Sequence, residues 1–202
     1  MNGRAAELFG AYVSADAAAA GELSGVTITD LDLRGADLSD VDLSDAFVSE
    51  CDLTGVRAVG VQLADATVGG CSLAGADLSS AQLGKAEVVE CSAAGAVFAG
   101  AALVRCDFLR CDLRGVDLSR TDLSGTGFLD CDLRDAVFSG AHLDDTDFAG
   151  SQLAGAVLRL SEGTVMDAAF DIDGSGPVSG DAVRAWLKGL DAVNVMLTPV
   201  RG

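Results

Sequence analysis

Four groups of residues in this 202-residue chain carry atoms that could do chemistry: six cysteines, one histidine, an Asp/Gly-rich loop and a carboxylate excess that sets the net charge at −18. Cys51, Cys71, Cys91, Cys111 and Cys131 recur at intervals of twenty, and Cys106 stands off that series. An even cysteine count suggests disulfides in a secreted chain. Five thiols at one fixed interval suggest a stacked ladder of small buried groups instead, whose parallel Cβ vectors oppose the dihedral a disulfide needs. A zinc site would need nitrogen and sulfur ligands to converge, and His142 falls outside the cysteine series. His142 lies near Asp144 and Asp145, so a serine–His–Asp arrangement can be drawn on paper. Catalysis also needs a cleft that excludes water, and a convex repeat surface offers none. The chain is therefore expected not to be an enzyme and to need no cofactor. Asp171, Asp173 and Ser175, with Gly176, match the opening positions of an EF-hand calcium loop. The twelfth position is Ala182 in place of a bidentate glutamate, and Pro177 occupies the backbone-ligand position. The stretch reads either as a calcium loop or as an Asp/Gly turn entering a helix, and the second fits its residues better.

The elements that position these groups follow from one period. From Leu23 a large apolar residue returns every five positions to Leu158, through Ile28, Leu33, Leu38, Leu43, Val48 and onward to Phe138, Leu143, Phe148 and Leu153. Only Ala58 and Ala93 in that column are small. Two residues before each large one lies a second column of Ala, Val, Cys, Thr and Ser. Five matches neither the helical period of about 3.6 nor the strand period of 2. The backbone must turn a corner every five residues and return the same position to the interior. Gly, Ser, Asp and Thr follow each large residue, and Gly recurs at the second place, as at Gly35, Gly55, Gly75, Gly95 and Gly115. A corner that requires positive φ is best met by Gly. Four corners close a square coil of twenty residues, and 28 such units make seven coils. Coils stacked at the strand spacing make a rod about 34 Å long. The chain's reach bounds each square's perimeter, so the rod is roughly 20–25 Å wide with its side chains, close to duplex DNA. Ala58 and Ala93 should leave thin spots in the core unless a neighbour such as Phe98 leans across.

The units "ADLSD", "CDLTG", "ADLSS", "CDFLR", "CDLRG", "TDLSG" and "TDFAG" resemble the A(D/N)LXX repeats of the pentapeptide repeat family, over about residues 21–160. The resemblance implies an all-β fold, a right-handed quadrilateral β-helix of about seven coils. It divides the chain into an N-terminal cap or short helix (1–20), the solenoid (21–160) and a C-terminal cap (161–202). Within the cap, "VSGDAVRAWLKGL" resembles the capping and dimerisation helix of the mycobacterial fluoroquinolone-resistance members. Its apolar stripe, with Val183, Trp186, Leu187 and Leu190, would cover the last coil, join two rods into a homodimer, or both. Ser179 or Asp181 is placed to cap its start and Gly189 to end it.

Charge points to the partner. Residues 21–160 hold 23 acidic and 9 basic side chains, a net of −14. Along the rod this is one excess negative charge per roughly 2.4 Å, against about 1.7 Å for B-DNA. Spacing by twenty places Asp32, Asp52, Asp112 and Asp132 on one face, with Ser72 and Ser92 between them, and Asp37, Asp77 and Asp117 on another. Residues 21–55 carry nine acids and one base, Arg34, so the strong field belongs to the N-terminal end. Such a field repels nucleic acid and attracts basic proteins. The same carboxylates would also serve simply to solvate a repeat surface and cap its turns. The family's quinolone-resistance branch implies a DNA mimic that binds DNA gyrase or another type II topoisomerase. On that reading Asp32, Asp37, Asp42 and Asp52 lead the contact row, followed by Asp77, Asp112, Asp117 and Asp132. The alternative is an interaction scaffold for a basic partner that is not a topoisomerase. The repeat register has no insertions, so the projecting loops of the plasmid-type members are not expected. No apolar run is long enough to span a membrane, and the start lacks the pattern of a signal peptide, so a cytoplasmic protein is expected.

Overall fold

The computed structural model describes residues 23–166, 168–190, 192 and 194–198. The N-terminal cap or short helix expected over residues 1–20 lies outside them. The chain winds as a parallel solenoid. Strands β1 (Thr27–Thr29), β2 (Phe47–Ser49), β3 (Thr67–Gly69), β4 (Glu87–Val89), β5 (Asp107–Leu109) and β6 (Gly127–Leu129) form one sheet in sequence order. Each pairs with the next in parallel, twenty residues on, as in Ile28 with Val48 and Phe108 with Phe128. Gly127 bridges on to Asp147, and similar single-residue bridges tie successive coils on the other sides.

The corners explain the five-residue period. From Gly25 to Leu160 every fifth residue has positive φ, 28 positions without a gap. Gly holds 13 of them, and Asp, Glu, Arg, Lys, Ser or Leu holds the other 15. The expectation that Gly supplies the corners is thus correct for fewer than half. A non-Gly residue there costs roughly 1 kcal/mol, and the ladders on both sides of each corner hold it in place. Three corners in each coil are closed by a hydrogen bond, as Ala36 N–H to Leu33 O at 2.9 Å, Val41 N–H to Leu38 O at 3.2 Å and Ala46 N–H to Leu43 O at 3.1 Å. The fourth, which follows each sheet strand, is open at Val48–Cys51 and at its equivalents up to Phe128–Cys131.

Both inward columns are buried along the whole rod. The large column changes character along the axis. Phe108 stacks on Phe128 at 5.1 Å and Phe128 on Phe148 at 5.4 Å, while Phe98 and Phe138 meet this stack edge-on. Towards the N-terminus the column holds Leu, Val and Ala, and an apolar cavity of about 50 Å³ runs there, lined in part by Ala58, Ala93 and Phe98. The thin spots expected at the two alanines are present.

The coil continues past Leu158 but loses one residue, since Thr146 bridges to Val165 and Gln152 to Asp171 at a spacing of nineteen. β7 (Glu162–Met166) pairs in parallel with β8 (Asn194–Thr198), an element the sequence pattern did not suggest. Helix α1 (Asp181–Gly189) runs between them. Its N-cap is Gly180, with no side-chain cap. Neither Ser179 nor Asp181 caps the helix, and the Asp181 carboxylate pairs with Arg184 at 2.9 Å. Val183 and Leu187 are buried, and Trp186 meets Phe170 edge-on at 6.0 Å, with Phe170 in turn against Phe148. The helix therefore seals the end of the aromatic stack. Among the described residues no helix is long and apolar enough to cross a membrane.

Candidate functional site

The residues predicted for partner contact lie where the period puts them. Asp32, Asp52, Ser72, Ser92, Asp112 and Asp132 follow one another as bridge partners up one side. On another side Asp37 and Asp77 are separated by Arg57, and Asp77 and Asp117 by Val97. Asp42 leads a third column through Gln62 and Gln82.

Their side chains first perform a local task. Each of the eight carboxylates accepts the backbone N–H two residues on: Arg34 on Asp32 at 3.2 Å, Ser39 on Asp37 at 3.0 Å, Ser44 on Asp42 at 2.9 Å and Thr54 on Asp52 at 3.1 Å. Asp77, Asp112, Asp117 and Asp132 do the same at 2.9–3.3 Å. That N–H belongs to the first residue of the corner, so the aspartate before each large residue caps the turn. Five of the eight also meet a guanidinium. Arg34 reaches Asp32 at 2.7 Å and Asp52 at 3.4 Å, Arg57 reaches Asp37 at 3.5 Å, and Arg114 and Arg134 share Asp112 and Asp132. Hydrogen bonds from Arg114 and Arg134 hold the carboxyls of Asp112 and Asp132 below the usual carboxylate range, and hydrogen bonds from Ser39 and Thr54 do so for Asp37 and Asp52. Asp42, Asp77 and Asp117 have no ion pair within 4 Å among the described residues.

The most projecting charges are at the corners, a set that the rows read from the sequence do not include. Asp30, Asp40, Asp45 and Glu50 are exposed, hold positive φ and have no ion pair among the described residues. A Cβ at Gly60 would collide with the Asp40 carboxylate and one at Gly70 with that of Glu50. Both side chains therefore drape onto the bare corner of the next coil. Farther along, some corner acids are matched by bases, Asp65 with Lys85 at 3.7 Å and Glu90 with Arg110 at 2.7 Å, while Asp130 and Asp135 are exposed corner acids with no ion pair among the described residues. The signal was present in the sequence. The second residue after each large one is the tip of the corner, and in residues 30–50 it is Asp or Glu at every unit except Gly35.

The other candidate groups have structural roles. All six cysteines are buried free thiols, and they are more than small apolar filler. At the open corner Cys71 Sγ lies 3.8 Å from Val48 O and accepts the Cys51 N–H at 3.4 Å. Cys91 and Cys131 repeat the pattern, and Ser151 closes it with Cys131 N–H and Phe128 O both at 2.8 Å. Cys106 lies on another side, and burial pushes its thiol up. His142 lies between Asp144 at 3.1 Å and Glu162 at 3.6 Å on the outer surface. In the loop Asp171 Oδ1 accepts the N–H groups of Asp173 and Gly174, and Asp173 Oδ1 accepts that of Ser175. These are the bonds of an Asx turn.

A parallel solenoid with a corner at every fifth residue and an acid-capped turn defines the class. The model for pentapeptide repeats matches residues 22–57 and 59–92, and that for a pentapeptide repeat region matches 81–158. The chain belongs to the pentapeptide repeat family. No curated protein matches it. Similar solved structures include HetL of Nostoc sp. strain PCC 7120, involved in heterocyst differentiation regulation, at 22% identity over 79% of this chain and 89% of that one, with a TM-score of 0.45. The plasmid-mediated fluoroquinolone resistance protein QnrB1 is similar at 22% identity over 87% and 85%, with a TM-score of 0.40. A pentapeptide repeat protein of the Arabidopsis thaliana thylakoid lumen is similar at 19% identity over 84% and 79%, with a TM-score of 0.34.

Proposed function

We propose that this protein imitates the DNA backbone and binds a type II topoisomerase, DNA gyrase foremost, in the groove that takes the duplex. The observation that carries this reading is the set of exposed carboxylates at Asp30, Asp40, Asp45 and Glu50 on the solenoid, without ion pairs among the described residues. Lys and Arg side chains that normally meet phosphates would face them. Asp32 and Asp52 on one side, and Asp37 and Asp42 on two others, lie beside these corners and extend the field, with Asp77, Asp112, Asp117 and Asp132 continuing it. Occupation of the groove would compete with DNA and protect the enzyme from quinolone-like or natural-product poisons. A homodimer would double the rod to about 70 Å, docked through Trp186 and Leu190. In one chain Val183 and Leu187 are already covered, so they would support that face from behind.

The test is supercoiling by purified gyrase with this protein titrated in, with and without a quinolone. Inhibition that rises with protein, and falls when Asp30, Asp40, Asp45 and Glu50 are replaced by Lys, is expected. No effect at micromolar protein refutes the topoisomerase reading and leaves an interaction scaffold with another basic partner. Light scattering of wild type beside Trp186→Asp addresses the dimer, and a monomeric wild type rules it out.

A further inference from the structure

We propose that the N-terminal part of the β1–β4 face is a docking strip anchored by Phe47, and that its occupant is the basic DNA groove of the topoisomerase. The inference rests on the function proposed above and names the contact within it. Phe47 is 45% exposed, whereas every other phenylalanine among the described residues is buried. It lies on β2, in register with Thr27 below and Thr67 above. Nothing in the packing of the rod calls for an aromatic there. The core is filled by the inward columns, and Phe47 stacks with no other ring among the described residues.

Its surroundings fit a particular kind of partner. The next outward position on the strand is Ser49, and above it Gly69 leaves open space where a side chain would stand. Phe47 thus projects beside a shallow floor of small residues. Asp45 and Glu50 flank it at the two corners that bound its side of the coil, exposed and without ion pairs among the described residues. Aromatic residues are enriched at interface centres and are ringed by a polar rim. The rim selects the occupant, because carboxylates on both sides repel phosphate and anionic lipid and attract a protein surface rich in Lys and Arg. Farther along the same face Glu87 and Asp107 replace the neutral residues of that column, so the uncharged floor beside Phe47 ends there and the acidic rim continues.

Binding to purified gyrase by surface plasmon resonance, at two salt concentrations, tests this. Phe47→Ser is expected to weaken binding by tenfold or more, with an unchanged thermal melt and an unchanged salt slope, and Phe47→Trp to restore it. If wild type binds and Phe47→Ser binds equally well, the docking strip is wrong and the proposed function stands. If wild type does not bind gyrase at all, both fail.

Discussion

The thiol of Cys71 lies between Val48 O and the Cys51 N–H, two groups that a closed corner would pair directly. Left alone, each would be a buried polar group without a partner, at a cost of about 1–3 kcal/mol. Cys71→Ala is therefore expected to lower stability by about that amount, and Cys71→Ser by much less, since Ser151 already makes both bonds at the equivalent place farther up the ladder. Urea midpoints of the two variants check it, and equal losses would refute the bridging role. Aspartate has the matching task at the other corners, where it caps the first N–H of the turn. Asp112 and Asp132 do this while hydrogen-bonded to Arg114 and Arg134, which lowers their proton affinity in the folded state. Such groups stabilise the fold while ionised. As pH falls below about 4 the unfolded chain takes up protons first, and the contribution is lost as pH drops through the lowered folded values. Replacing both by Asn is expected to flatten the acid limb of a stability–pH curve below pH 4. Asp107 has the opposite sign. Burial raises its proton affinity, with Glu87 and Asp147 adding repulsion. Asp107→Asn is expected to raise the melting temperature at pH 7, with the gain shrinking as pH falls through its raised value.

At the scale of the element, much of the solenoid was legible. A single column of large residues gave the coil, its twenty-residue repeat and the inward faces. The corners were only half legible. Gly marks 13 of them, but Asp30, Lys85 and Arg110 adopt the same left-handed conformation because the ladders above and below leave no alternative. The open fourth corner was invisible, because its hydrogen bonds run through a side chain of the next coil, twenty residues away. The pairing of β7 with β8 was hidden for a similar reason, with α1 lying between the strands. The stripe of α1 was legible as a cover, and Gly180 replaced the expected side-chain caps. The cavity follows from Ala58 and Ala93, both readable as gaps. Ala58→Val should fill part of it and stabilise the fold by about 1 kcal/mol, seen as a higher melting temperature; a lower one would show that the space is already closed by relaxation.

For the whole molecule, net charge suggested a basic partner, but its distribution needed the fold. The rows chosen from the sequence turn out to be partly self-neutralised by Arg34, Arg57, Arg114 and Arg134. Among the described residues the corner tips Asp30, Asp40, Asp45 and Glu50 near the N-terminal end, and Asp130 and Asp135 farther on, have no ion pair. Reversal of Asp112 and Asp132 to Lys is therefore expected to destabilise the rod more than it weakens binding to gyrase, while reversal of Asp45 and Glu50 does the reverse. Melting curves and binding isotherms of the two pairs separate these outcomes.

The change from stacked phenylalanines to a hollow Leu/Val/Ala column gives the molecule a firm end and a yielding one. In a linear stack, loss of order begins where neighbours hold each other least. Amide protons of β1 and β2 should therefore exchange with deuterium sooner than those of β5 and β6. The yielding end also carries the corner acids Asp30, Asp40, Asp45 and Glu50, which have no ion pair among the described residues. A partner gripping it would slow exchange there most, and the rod could bend to follow a curved groove without its aromatic base coming undone.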